Sequence, residues 1–165
     1  MKGDMINPYI ENFVNSLEDN YVFLNRNAPS TSRGLFDMLN YINKVDIVFL
    51  NWPEEVPERK GGLIQTVFYI CLIFYLRLRK VAVFWTLHNK ESHVRKHIRT
   101  KKFLHRFTAR NADYILTHSR EGLSVLSGLI KPATPRVLFI HHPVSNPINI
   151  AYCENRIYDV LIWGT

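Results

Sequence analysis

The sequence predicts an α/β fold built on a doubly wound parallel sheet with helices on both faces. Short apolar runs alternate along the chain with longer segments of helical periodicity, which is the order that strand–helix–strand units require. The apolar runs are continuous rather than interrupted by polar residues, which is typical of parallel strands buried on both sides. With 165 residues, of which 47% are hydrophobic, the chain is long enough to form one packed core.

The first third of the chain contains two helix signals and two strand signals. After Asn7, apolar residues recur at three- and four-residue spacing, which predicts an opening helix capped by Asn7. The run Tyr21–Leu24 predicts a short strand, and Ser32 predicts the cap of a second helix. The continuous apolar run Asp46–Trp52 ends at Pro53, which predicts a strand buried on both faces.

The rest of the chain continues this alternation. The most hydrophobic helix, predicted at Leu63–Leu78, is shorter than the roughly 20 residues that span a bilayer. We therefore predict that it is fully buried in the core, with Cys71 as a buried free thiol. The other predicted elements are a loop at Pro53–Gly62, strands at Val81–Leu87, Asp113–Ser119 and Arg136–Pro143, helices at Thr100–Arg110 and Arg120–Leu129, and a strand-like run at Tyr158–Thr165.

Features of secreted proteins are missing from the sequence. The opening residues lack the apolar stretch of a signal peptide. The two cysteines, Cys71 and Cys153, lie far apart and do not indicate a disulfide framework. We therefore expect a cytoplasmic protein.

Positive charge is concentrated in one segment of the chain. Of the 21 Lys and Arg residues, eleven lie between Arg77 and Arg110, and the only acidic residue in that segment is Glu91. The remaining residues hold the other ten basic groups and thirteen acidic groups. The excess predicts an anionic partner for this segment: a phosphate, a nucleic acid or an acidic membrane surface.

Polar residues gather where the predicted strands end. Parallel sheets bind ligands beyond the carboxyl ends of their strands, where the loops meet. The residues at these ends are Asn51, Trp52, Glu54, Thr86, His88, Asn89, Glu91, His93, Thr117, His118, Ser119, His141 and His142. An indole can stack on a sugar face, and amide, carboxylate and imidazole groups can bond to hydroxyls. The set favours a hydroxyl-rich ligand.

Several other chemistries lack their sequence motifs. The chain has no HExxH or cysteine–histidine spacing for zinc, no Gly-x-Ser-x-Gly elbow, and no glycine-rich loop for a dinucleotide or ATP. Any one of the histidines, taken alone, is better explained by a structural bond to backbone groups. We therefore predict no metal site and no bound cofactor.

Three segments, in this order and spacing, resemble the N-terminal domain of a bacterial GT-B-fold glycosyltransferase, in particular the large retaining group called family four. They are LNWPE at Leu50–Glu54, WTLHNKESH at Trp85–His93 and ADYILTHSREG at Ala112–Gly122. The resemblance extends from about Asn7 to Pro143. It implies half of a GT-B fold: a Rossmann-like acceptor-binding domain at residues 1–150, and at 151–165 a linker and the start of an absent donor-binding domain.

The resemblance also implies a reaction and the residues that serve it. Such an enzyme transfers a sugar from a nucleotide-sugar donor to a glycan or lipid-linked acceptor in cell-surface polysaccharide synthesis. His88 matches the cleft histidine near the transferred sugar, and it is the candidate catalytic residue. The candidate substrate-binding residues are Trp52, Glu54, Asn89, His93, His118, Ser119 and Glu121.

The sequence departs from the family pattern in three ways. The usual first strand and its glycine-bearing loop are missing, Asn51 stands where a histidine is common, and the donor-binding domain is absent. We therefore expect that the chain alone does not transfer sugar.

The resemblance gives the basic segment a role, because many such enzymes dock on the anionic inner face of the plasma membrane. The candidate membrane-surface residues are Arg95, Lys96, Arg99, Lys101, Lys102, Arg106 and Arg110. Two alternatives stay open. The charge also suits a nucleic-acid-binding domain, although helix-turn-helix and RNA-binding signatures are missing. The third interpretation is a non-catalytic interaction domain that keeps the fold.

Overall fold

A computed structural model describes residues 8–26, 28, 31, 33–88, 96–130 and 136–141. The chain divides into two compact units. The described part of the first unit contains helix α1, Pro8–Asn15, in which the rings of Tyr9 and Phe13 stack. The opening helix is confirmed, whereas its predicted cap Asn7 and the predicted cap Ser32 lie outside the described residues.

The second unit, residues 22–142, holds a four-stranded parallel sheet. The strands are β1 (Ile47–Asn51), β2 (Ala82–Leu87), β3 (Tyr114–Thr117) and β4 (Val137–Phe139), and they lie side by side in chain order. The prediction of an α/β fold with a parallel sheet is confirmed.

Three α-helices connect these strands. They are α2 (Gly62–Leu78), α3 (Ile98–Asn111) and α4 (Arg120–Leu129). Since βαβ crossovers are right-handed and the strands follow chain order, all three helices cover the same face of the sheet. The second helical layer that a doubly wound sheet requires stays a prediction.

The core lies between this helical layer and the sheet. Val48, Leu50, Val83, Trp85 and Ile115 from the strands pack with Tyr69, Ile73, Leu76, Leu104 and Leu126 from the helices. Alternate residues of each strand supply these contacts because neighbouring side chains point to opposite faces. The core therefore explains why the strands are rich in branched and aromatic residues.

The other face of the sheet presents a row of aromatic rings. Phe49, Phe84 and Tyr114 are register partners on three adjacent strands. Their ring centroids are 4.9 Å apart between Phe49 and Phe84 and 4.6 Å apart between Phe84 and Tyr114. Cross-strand aromatic pairs of this kind stabilise the pairing of neighbouring strands.

Two 3₁₀ helices flank β1. The first, η1, spans Gly34–Asn40, and the second, η2, spans Pro53–Glu58 and occupies most of the predicted loop. Gln65 of α2 connects η1 with the residues that follow η2. Its Oε1 accepts a hydrogen bond from the Leu35 amide, and its Nε2 donates to the Lys60 carbonyl. The two short helices therefore form the walls beside the carboxyl end of β1.

The predicted strand at Tyr21–Leu24 is wrong. The structure has no regular element there, and Val22 is 88% exposed. An apolar run of four residues cannot form a strand without a neighbour to pair its backbone groups.

The prediction of a fully buried α2 is also wrong. One face of the helix is in the core, but the outer face exposes an apolar stripe of Ile64, Val67, Cys71, Phe74 and Leu78. Cys71 is therefore an exposed thiol rather than a buried one. A helix that is apolar all round gives no sequence signal for which side is covered. Across the residues that the structure describes, no helix combines the length and the apolar character needed to cross a membrane.

Candidate functional site

Three polar side chains meet at the carboxyl edge of the sheet. Asn51 ends β1, His88 follows β2 and His118 follows β3. Because the three strands are parallel and adjacent, these residues lie along one edge. The structure thus brings together one polar side chain from each of three predicted strand ends.

His88 is held from two sides. Its Nε2 lies 2.9 Å from Oδ1 of Asn51, and its ring stacks on Trp52 with centroids 4.2 Å apart and planes at 16°. An amide oxygen only accepts hydrogen bonds, so Nε2 of His88 carries the proton. The contact fixes both the orientation of the imidazole and its tautomer.

Trp52 has an unusual backbone conformation. Its φ is 51° and its ψ is 44°, in the left-handed region. An aromatic residue rarely adopts this region, and a residue before proline is normally extended. The stack on His88 accompanies this strained turn between β1 and η2. Strained residues that the surrounding structure holds in place concentrate at functional sites.

His118 is the second imidazole of the edge. Its ring centroid lies 6.0 Å from that of His88. Its Nδ1 donates to the carbonyl of Ile140, at 2.7 Å, just beyond β4. A carbonyl accepts only, so Nδ1 is protonated and Nε2 is the acceptor nitrogen in the neutral ring. The two histidines therefore present different tautomers at one edge.

Ser119 and Glu121 lie at the start of α4. Oγ of Ser119 accepts a hydrogen bond from the Gly122 amide at 2.9 Å, so Ser119 is the cap of the helix. Glu121 is exposed in the first turn. Capping explains why a serine stands here, and the predicted substrate contacts of both residues remain predictions.

Glu54 is buried, although the sequence predicts it at the open carboxyl edge of the sheet. It is 7% exposed, within η2, and its Oε2 has no hydrogen-bond partner among the described residues. Desolvation by burial raises the pKa of this carboxyl, more than the neighbouring Lys101 lowers it. A carboxylate buried in this way cannot offer itself to a ligand at the edge, so the structure does not support Glu54 as a substrate contact.

The predicted place of Lys101 on the protein surface is also wrong. The sequence predicts it on a basic membrane-facing surface, but it is 3% exposed and its ammonium forms an ion pair with Glu58. The exposed cations of the predicted set that the structure describes are Lys96, Arg99, Lys102, Arg106 and Arg110. The predicted residues Asn89, His93 and Arg95 lie outside the described residues.

A cleft opens beside Trp52. The sequence alone does not predict it. Its volume is about 180 Å³. It is lined by Gly34, Leu35, Met38, Leu50, Asn51, Trp52, Pro53, Val56, Arg59 and Tyr69. These residues come from η1, β1, η2 and α2, and no single stretch of sequence carries the signal. Asn51 and Trp52 belong to both the cleft and the His88 site.

In the described ranges, no three His, Cys, Asp or Glu side chains are close enough together to hold a metal ion.

Comparison with protein-family models, with curated proteins and with solved structures gives no match to this chain.

Proposed function

We propose that this chain is the acceptor-side domain of a retaining GT-B glycosyltransferase, half of a two-domain enzyme. The enzyme would transfer a sugar from a nucleotide-sugar donor to a glycan or lipid-linked acceptor in cell-surface polysaccharide synthesis. The observation that carries the proposal is the edge site, where Asn51 and Trp52 hold His88 beside His118. A fixed imidazole next to an indole suits the recognition of sugar hydroxyls.

In this proposal His88 contacts a hydroxyl of the transferred sugar or the leaving group rather than acting as a general base, as the family resemblance implies. Its Nε2 donates to Asn51, which leaves Nδ1 as the acceptor nitrogen of the neutral ring. Asn51 thus supports His88 at the position where the family commonly has a histidine. The donor binds mainly to a second domain, so the 165-residue chain alone does not transfer sugar.

The proposal is tested by sugar transfer in the full-length protein that carries both domains. His88→Ala should lower kcat about 100-fold or more because the transition-state contact is lost. Asn51→Ala should lower kcat about tenfold because the imidazole loses its fixed tautomer. His97→Asn, a change at an exposed histidine in the left-handed region, is the matched control and should leave kcat unchanged.

Full activity in His88→Ala would refute the assigned site. Transfer by the isolated 165-residue chain would refute the division of labour between two domains.

The proposed enzyme also docks on an anionic membrane. The exposed face of α3 carries Arg99, Lys102, Arg106 and Arg110 at three- and four-residue spacing. The rings of Phe74, Phe107 and Phe103 connect this face to the apolar stripe on α2, with centroid distances of 5.7 and 5.9 Å. A basic rim beside apolar side chains suits the interface of an acidic bilayer.

Docking is tested with phosphatidylglycerol and phosphatidylcholine vesicles. Each basic side chain contributes about 1 kcal/mol near an acidic surface. The double charge reversal Lys102→Glu with Arg106→Glu should therefore weaken binding to phosphatidylglycerol more than tenfold, whereas Lys60→Glu should have little effect. Equal binding to both lipids would contradict docking. Binding to generic DNA or RNA at physiological salt, without vesicle binding, would favour a nucleic-acid partner instead.

A further inference from the structure

The geometry points to the cleft beside Trp52 as the binding pocket for an apolar group that carries an anion. The inference rests on the proposed function, because it makes the cleft the acceptor pocket of the His88 site. It decides between the two acceptor classes that the sequence leaves open. The occupant is the hydrocarbon or aryl part of an amphiphilic anion rather than a sugar.

Size supports an apolar occupant. The cleft has a volume of about 180 Å³, and an apolar protein cavity of about 150 Å³ binds a benzene ring. Leu35, Met38, Leu50 and Val56 supply aliphatic surface to the lining. An aromatic ring or a short alkyl segment therefore fits.

The lining of the cleft is more apolar than polar, and two of its polar groups are already bonded within the protein. Tyr69 lines it, but the Tyr69 hydroxyl is already bonded to Oγ1 of Thr108 at 2.7 Å, in the core. Asn51 has its Oδ1 bonded to His88. A hydroxyl-rich ring needs several donors and acceptors around it, whereas an apolar group needs none.

Arg59 supplies the charge. It lines the cleft, it is exposed, and it has no ion-pair partner in the part of the chain that the structure describes. The neighbouring acid Glu58 pairs instead with Lys101. A guanidinium binds phosphate or carboxylate through two parallel hydrogen bonds. The occupant therefore carries an anionic head beside its apolar part.

The cleft also touches the transfer site. Asn51 and Trp52 line the cleft and hold His88 at the same time. A ligand seated against the indole of Trp52 therefore lies next to the group proposed to contact the sugar.

The experiment uses the whole chain labelled with ¹³C in its methionine methyl groups. Met38 lines the cleft, and the other two methionines, Met1 and Met5, serve as internal references. Octyl phosphate and octanoate should shift the Met38 signal saturably. Octanol should bind about tenfold more weakly because it cannot pair with Arg59, and inorganic phosphate alone should cause no shift.

Two pairs of variants complete the test. Arg59→Gln should reduce the affinity for octyl phosphate to that for octanol, whereas Lys60→Gln should leave it unchanged. Leu35→Trp should fill the cleft and abolish binding of octyl phosphate, octanoate and octanol, whereas Leu39→Trp, on the exposed side of η1, should not.

An unmoved Met38 signal, or binding that survives Leu35→Trp, would overturn the pocket. Equal affinities for octyl phosphate and octanol would overturn the anionic head. If sugar transfer depends on His88 but the cleft binds no amphiphile, the pocket is refuted and the proposed function stands. Amphiphile binding in a full-length protein that transfers no sugar would remove the proposed function and leave the pocket.

Discussion

Lys101 and Glu58 form an ion pair in which the lysine side chain is 3% exposed and the glutamate side chain 22% exposed. The pair ties α3 to η2, and η2 follows directly on Trp52. The next residue, Lys102, is exposed on the same helix. Two adjacent lysines therefore differ in burial: Lys101 lies inside the protein and Lys102 on its surface.

Replacement of Lys101 by methionine should destabilise the protein. The change leaves Glu58, and the nearby buried Glu54, without a cation, and breaking a largely buried ion pair costs about 3 kcal/mol. Lys102→Met should change the free energy of unfolding by no more than about 0.5 kcal/mol. Urea unfolding of the two variants measures the difference, and equal midpoints would show that Lys101 is not buried as described.

Replacement of Glu54 by glutamine should stabilise the protein at neutral pH. Burial raises the pKa of Glu54, so the folded state favours the protonated carboxyl. Its contribution to stability is then complete below the ordinary pKa of glutamate and is lost as the pH rises through the raised value. Glu54→Gln should raise the melting temperature by a few degrees at pH 7, and the gain should disappear near pH 4. A gain of the same size at both pH values would contradict the raised pKa.

The glycines at two helix positions should respond in opposite ways to alanine. A Cβ at Gly62 would lie 2.1 Å from the carbonyl oxygen of Pro57, whereas a Cβ at Gly128 meets nothing within 4 Å. Gly62→Ala should destabilise the protein by about 2–3 kcal/mol, because α2 must move away from η2. Gly128→Ala should stabilise it by about 0.5–1 kcal/mol through helix propensity. Thermal unfolding of both variants is the measurement, and a stable Gly62→Ala protein would show that this contact is loose.

Cys71 should react with a thiol reagent in the folded protein. It is exposed on the outer face of α2. In a Cys153→Ser background, one thiol should be modified without denaturant, and Cys71→Ser should abolish the reaction. A reaction that begins only in denaturant would restore the buried thiol that the sequence predicts.

The sheet and the ends of its strands could be predicted because their signals are local. The run Asp46–Trp52 corresponds to β1, and the predicted bounds of α4 coincide with the observed ones. Ser119 caps α4 as a serine before a helix commonly does. Local residue types were enough for these elements.

The site geometry could not be predicted because it depends on contacts between distant residues. The bond between Asn51 and His88 joins positions 37 residues apart and requires the register that pairs Asn51 with Thr86. The cleft takes lining residues from four elements.

Charge and hydrophobicity alone also do not fix burial. Lys101 and Lys102 are the same residue type on the same helix. Lys101 lies on the face that also buries Leu104 and Thr108, where it pairs with Glu58, whereas Lys102 lies on the exposed face. The apolar residues of α2 likewise do not show which side faces the core, because both sides carry them.

The agreement between strand order and chain order has a consequence for synthesis. Each new strand pairs with the strand made immediately before it, since β1, β2, β3 and β4 are neighbours in that order. Among these four described strands, no early strand has to wait for a late one, so this part of the sheet can grow from β1 while the ribosome is still adding β4. Nascent chains stalled on the ribosome after β2, after β3 and after β4 should show protease resistance that increases in steps. Resistance that appears only after β4 would contradict this order of assembly.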